Sequence, residues 1–304
     1  MQSAAISRPT RSLNWQRRRV LTFALLIAPV FILRIITSAY PIANTIWLSF
    51  TNLHLIEQTN AFVGLENFRL MPQDPAIQSA IGFTIASVLI TSALQLLFGL
   101  LVALLLNANY KGRNFGRAIN LIPWAIPGIV AAYAFKWLLD DQFGLIPEWT
   151  YLLTGVRPVI FLTALGAQTA VILVNLWKSI PFVAILFLAG LQGVPIELYE
   201  AARVDGANAW QRFWSITLPL VMPLIVTMSL FLMVGQLGNL DLAYGLTNGG
   251  PGNSTATLAL RIFQEGLLFY KFGYASAIAV VLLLLIGLLG LIGLYLNRKV
   301  EVNV

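Results

Sequence analysis

Apolar residues in this chain fall in long, nearly uncharged runs. Six of them, at 20–49, 77–106, 118–139, 159–191, 214–235 and 272–296, are separated by polar or Gly/Pro clusters. Crossing a bilayer takes about 20 apolar residues per helix, and each run reaches that length. A soluble antiparallel helical core does not need six runs so poor in charge. The pattern therefore predicts an all-α membrane protein with six transmembrane helices and short connections.

Composition narrows the reading. The 304 residues are 58% hydrophobic and 10% charged, against about a quarter charged in soluble domains. A water-soluble enzyme is excluded, and the connections leave no room for a large catalytic domain. With no cysteine and one histidine, His54, thiol catalysis, disulfides and multi-histidine metal sites are excluded. No catalytic residue and no metal site are expected. His54 reads as a surface residue of an outer loop.

Charge placement orients the chain. Arg8, Arg11, Arg17, Arg18, Arg19, Lys111, Arg113, Arg117, Arg203, Arg212, Arg298 and Lys299 lie in the tails and even-numbered loops. The odd-numbered loops hold Arg69, Arg157, Arg261 and Lys271. By the positive-inside rule both termini are expected in the cytoplasm, with 1–19 a basic cytoplasmic tail and 20–304 the transmembrane domain. The net charge of +7 thus belongs to the bilayer surface, and no nucleic-acid partner is expected. Arg17, Arg18 and Arg19 before an apolar run also resemble a signal peptide. This run is longer than a usual signal core, contains Pro29 and Arg34, and is expected to remain as span one.

No G-x-x-x-x-G-K-[ST] phosphate loop occurs, so uphill transport would draw its energy from a partner or an ion gradient. An ion-coupled secondary transporter would want a carboxylate within its spans, and only boundary acids such as Asp241 qualify. An intramembrane enzyme finds no reactive residues here.

The most informative stretch is the fourth loop, 193–219. Pro195 and Glu197 suit a helix first turn. Leu198, Ala201 and Ala202 share one face, Asp205-Gly206 stops the helix, and Asn208 can cap a second one. On physics alone this is a helix–turn–helix lying on the membrane face, and an ordinary folded loop remains an open reading. The sequence Glu200-Ala201-Ala202, three residues, Gly206, nine residues, then Ile216-x-Leu218-Pro219 resembles the EAA loop of binding-protein-dependent ABC importer permeases. Ala202-Arg203-Val204-Asp205-Gly206-Ala207 is similar to the sugar-uptake branch of that family. In the last outer loop, 236–271, Leu246-Thr247-Asn248-Gly249-Gly250-Pro251-Gly252 and then Phe272-Gly273-Tyr274-Ala275 resemble the MalF/UgpA-type subunit.

The resemblance implies the type I ABC importer permease fold in a bacterial or archaeal plasma membrane. It further implies a second permease of MalG/UgpE type, an ATPase dimer and an extracytoplasmic substrate-binding protein. ATP and magnesium belong to the ATPase, and this chain binds no cofactor. ATPase coupling is carried over to Glu200, Ala201, Ala202, Asp205 and Gly206.

Polar residues at membrane depth are candidates for the substrate path, because each is costly there unless it faces a cavity or a partner. Asn175, Trp177 and Lys178 precede Pro181, and an amide, an indole and a cation suit a sugar's hydroxyls and C–H face. Lys178 can alternatively reach outward along its overlong span. Gln236 and Asn239 lie at i and i+3 beside Asp241, as path residues or as interhelical hydrogen bonders. Gln95 is expected to bond a neighbouring helix. Trp124, between Pro123 and Pro127, marks a kink.

Overall fold

The computed structural model describes residues 13–301, with side chains from 18 to 297. Arg8 and Arg11 of the basic tail lie outside the described residues, as do the side chains of Arg17, Arg298 and Lys299. Among the described residues the secondary structure is helical, apart from isolated bridges near His54. Five helices are long and apolar enough to cross a membrane, and a bent pair makes a sixth if its two arms form one span.

Span one joins α1 (Leu13–Arg34) to α2 (Tyr40–Leu48) through a π-turn, Ile35–Ala39. Span two is α4 (Pro75–Asn107), entered from the short α3 (Glu66–Leu70). Asp74 caps α4, accepting from the Ala76 amide at 2.9 Å. Span four is α9 (Ala164–Gln192), and span six is α14 (Phe272–Glu301).

Span five shows how proline is accommodated. Following α10 (Ile196–Val204), α11 (Ala209–Arg212) passes through a second π-turn, Phe213–Thr217, into α12 (Leu218–Leu237). Both π-turns end two residues before a proline, Pro41 or Pro219. There the Tyr40 and Leu218 amides bond five residues back, to Ile35 and Phe213. A proline ring clashes with the carbonyl four residues before it, and one widened turn moves that carbonyl aside.

Three expectations need correction. The run 118–139 is not one helix: α5 (Arg113–Asn120) and α6 (Ile122–Ala125) meet α7 (Gly128–Leu138) at 88°. Pro127 lacks the amide that would carry the ladder through and forces Ile126 into an extended conformation. Residues 159–163 precede the helix of span four. They wrap around the Asp141 carboxylate, which accepts from the amides of Ile160, Phe161 and Leu162. The connection after α8 (Leu145–Thr154) thus has a fixed shape.

The segment 236–271 is also no plain loop. Its first residues, Gln236 and Leu237, complete α12, and the rest folds into a π-turn (Ala243–Thr247), α13 (Leu258–Phe263) and another π-turn (Gln264–Leu268). Leu246, Thr255, Ala256, Leu258 and Leu260 there are 0–1% exposed, and the Leu258 amide donates to Thr84 on α4 at 2.9 Å.

The core centres on α4 against α9, with α12 packed on α4 and α14. One buried cluster joins Val183, Phe187 and Leu191 to Ala103, Val221 and Met228. A second joins Ile77, Ala80 and Leu237 to Leu258 and Ile278. A third, around Phe83, Ala132, Val174 and Leu246, seats the folded segment against α7. Among the described residues span one adds nothing to this buried core, and none of its apolar window is buried.

Candidate functional site

A polar cluster lies where α4, α9 and α12 meet. Asn175 and Gln236 pair through both amides, Asn175 Nδ2 donating to Gln236 Oε1 at 2.8 Å and Gln236 Nε2 to Asn175 Oδ1 at 3.1 Å. Buried Gln95 donates to the same Oδ1 at 3.1 Å, as does the Ser179 hydroxyl at 3.1 Å. Gln95 therefore bonds its neighbour as expected, and Gln236 is an interhelical hydrogen bonder in this conformation. The arrangement is not balanced. Three donors converge on one oxygen that offers two lone pairs, while Gln95 Oε1 is buried without a partner.

Beside the cluster is a cavity of about 30 Å³, lined by Ser87, Thr91, Asn175, Gln236, Asn239 and Thr257 among apolar groups. That is room for about one water, far below the few hundred Å³ of a small-molecule site. The space between α4, α9 and α12 is thus closed to anything larger at this level. Asn239 borders the cavity and accepts from the Asp241 amide at 3.0 Å, turning the chain out of α12.

The remaining path candidates separate. Trp177 does not join the cluster. Its indole meets Phe135 edge-on, with centroids 4.8 Å apart, and lines an apolar groove of about 600 Å³ between α7, α8 and α9. The Lys178 ammonium donates to the carbonyls of Trp124 at 3.1 Å and Ile126 at 2.7 Å, inside the break of span three. Asp241 packs against Gly128, where a Cβ would lie 2.5 Å from a carboxylate oxygen, so only glycine admits this approach.

The loop between spans four and five carries its own geometry. α10 ends at Gly206, whose φ of +79° is open to glycine at little cost. The Ala207 amide reaches back to the Ala202 carbonyl at 2.8 Å, closing a Schellman turn. Two residues on, Asn208 and Gln211 cap each other reciprocally at 2.9 and 2.8 Å. Arg212 bonds the Ala207 carbonyl at 2.5 Å, and Tyr199 meets the Thr217 hydroxyl at 2.9 Å. Glu200, Ala201, Asp205 and Gly206 are exposed and Ala202 is half-buried. Ile196, Leu198, Val204 and Trp210 are exposed as well, Val204 by 88%. A rigid turn thus presents an uncovered apolar and acidic face.

The end of the bundle formed by 236–271 holds contacts that the sequence reading missed. Arg261 and Glu265, both buried, pair at 2.5 Å, with Lys271 4.0 Å from the second carboxylate oxygen. Burial pushes the Glu265 carboxyl above its ordinary range, against the pull of Arg261 and Lys271. Their i, i+4 spacing and opposite signs were a readable signal. His54 is not a free surface residue, since only 15% of its side chain is exposed and its ring meets Glu57 at 3.8 Å.

Residues 95–302 match the family described as binding-protein-dependent transport system inner membrane component. The chain belongs to that family. It is 39% identical over 259 residues to the sulfoquinovosyl glycerol transport system permease protein SmoG of Agrobacterium fabrum, covering 85% of this chain and 84% of the relative. It is 34% identical over 278 residues to the multiple sugar-binding transport system permease protein MsmF of Streptococcus mutans, covering 91% and 95%. The fold matches a chain of the bacterial alginate ABC transporter solved with its alginate pentasaccharide-bound periplasmic protein. That match has a TM-score of 0.82 at 21% identity, over 95% of this chain and 98% of the other. This protein is accordingly a multi-pass membrane subunit of an ABC importer, a permease rather than an enzyme.

Proposed function

We propose that the chain is the MalF/UgpA-type permease of an ATP-driven sugar importer, forming half of the path for a sugar or sugar derivative. Support for a sugar comes from relatives named for sulfoquinovosyl glycerol and multiple sugars and from the polar cluster. A spare donor and an unpaired acceptor at Asn175 and Gln95 match a hydroxyl, which both accepts and donates. Asn175, Gln236 and Asn239 line the path, and it widens when α9 and α12 part, as in an alternating pair of states. Replacing Gln236 or Asn175 by alanine should lower substrate-stimulated uptake about tenfold, the effect of one or two lost hydrogen bonds. Normal uptake in both variants would remove these amides from the path.

Coupling is assigned to the 193–219 loop, and the observation that carries it is the exposed, doubly capped turn around Gly206. Both termini and this loop face the cytoplasm in this reading. An ATPase dimer, holding ATP and magnesium, grips Glu200, Ala201, Ala202, Asp205 and Gly206. Because α11 runs through its π-turn into α12, movement of the turn reaches span five directly. A second permease of MalG/UgpE type completes the path, and an external binding protein delivers substrate to the end formed by 236–271.

Reconstitution with partner permease, ATPase and binding protein tests the assignment. Sugar uptake should require ATP and fall several-fold in Glu200→Ala, as expected for loss of a charged contact. ATP-independent uptake by the isolated chain would instead establish a secondary transporter.

A further inference from the structure

The right-angle break in span three has oppositely charged side chains at its two ends. Bending between Ala125 and Gly128 takes the Trp124 and Ile126 carbonyls out of any helical ladder. At membrane depth an unsatisfied carbonyl costs several kcal/mol. Both carbonyls are taken by one group, the Lys178 ammonium, at 3.1 and 2.7 Å. On the other side of the break, the Asp241 carboxylate rests on Gly128 at the start of α7, where the helix dipole favours an anion.

Neighbouring contacts fix the same segment to the same face of α9. Trp124 stacks on Phe182 with centroids 5.0 Å apart and planes 10° from parallel. Asn120 donates to the Pro181 carbonyl at 3.1 Å. Lys178 lies three residues after Asn175, so the face that holds the polar cluster also holds the break. Beyond the break, α7 packs on the π-turn Ala243–Thr247, whose first residue lines the polar cavity.

We propose that Lys178 and Asp241 are positioning residues: they clamp the bent span three onto spans four and five and so set the wall of the translocation path. The clamp adds charged contacts to the Trp124–Phe182 stack and lies outside the buried α4–α9 core. Its role in transport rests on the permease reading above, whereas its geometry does not.

Hydrogen exchange over 121–131 and ATP-driven uptake, both in the assembled importer, test the clamp. Lys178→Met keeps the length of the side chain and removes the charge. Exchange in 121–131 should accelerate, and maximal uptake should fall, each about tenfold, the effect of two charged hydrogen bonds after partial relaxation. Lys178→Arg, which keeps a cation and its donors, should restore both. Unchanged exchange in Lys178→Met, or no rescue by arginine, overturns the clamp. If Lys178→Met loosens α4 and α9 as well, Asp241→Asn decides. Faster exchange confined to the break supports the proposal, and unaltered exchange overturns it. Failure of the clamp with ATP-dependent uptake intact leaves the permease assignment standing, while a wild-type importer without such uptake overturns that assignment instead.

Discussion

Gly206→Pro is expected to abolish ATP-dependent uptake while the transmembrane core still folds. Gly206 has φ +79°, and a proline ring holds φ near −65°. Proline also removes the amide that donates to the Arg203 carbonyl at 3.1 Å, and the forced change of φ breaks the 2.8 Å Schellman bond between Ala207 and Ala202. Asn208, which starts the helix feeding span five, follows two residues later, so a wrong exit angle at 206 redirects the whole lever. Collision with the rest of the molecule is not the cause, because beyond its chain neighbours nothing lies within 4 Å of the Cβ position at Gly206. A graded series follows. Gly206→Asn should keep most uptake, since asparagine tolerates the left-handed region, and Gly206→Ala should lose part, carrying about 1–2 kcal/mol of backbone strain. Uptake in vesicles, normalised to assembled complex, measures all three. Uptake by Gly206→Pro within about twofold of wild type, a difference under 1 kcal/mol, would remove the turn from the coupling route.

What the sequence made legible follows from the range of each signal. Apolar runs located the spans because a bilayer demands continuous hydrophobicity within one segment. The turn at 205–208 was legible for a similar reason, since Gly206 and the Asn208 cap are local devices with local residue requirements. Pairings across the bundle were not. Nothing near Lys178 in the chain announces that its partners are carbonyls 52 and 54 residues earlier. Trp177, adjacent to it, points to a different groove, because successive helical positions diverge by about 100°. The proline pair around Trp124 marked a kink, but nothing local shows that the carbonyls it frees are taken by Lys178 of span four. The segment 236–271 read as a loop because glycines and polar residues dominate its start. Its burial comes from Thr84, Phe83 and Val88, which lie on α4 far away in sequence.

Arg261→Met should be the most destabilising substitution in the segment 236–271. It leaves Glu265, 4% exposed, with a buried charge whose nearest remaining cation is Lys271 at 4.0 Å. Breaking one side of a buried ion pair costs about 3–5 kcal/mol, whereas replacing both partners by neutral groups of similar size is close to neutral. Arg261→Met/Glu265→Gln should therefore recover most of the loss. The pH dependence has a definite sign. Burial already raises the Glu265 carboxyl, and Arg261 and Lys271 hold it down. Without Arg261 it rises further. A carboxyl raised in the folded state favours folding fully below its unfolded value, about 4.3, and loses that contribution as pH climbs through the folded value. The deficit of Arg261→Met should accordingly be largest at neutral and alkaline pH and shrink on acidification. In the double variant this added dependence should vanish. Unfolding of the purified importer between neutral and mildly acidic pH reads both effects. A single-variant deficit independent of pH, or one that the second substitution leaves in place, would mean that lost packing of the long Arg261 side chain, rather than the stranded Glu265 charge, weakens the fold.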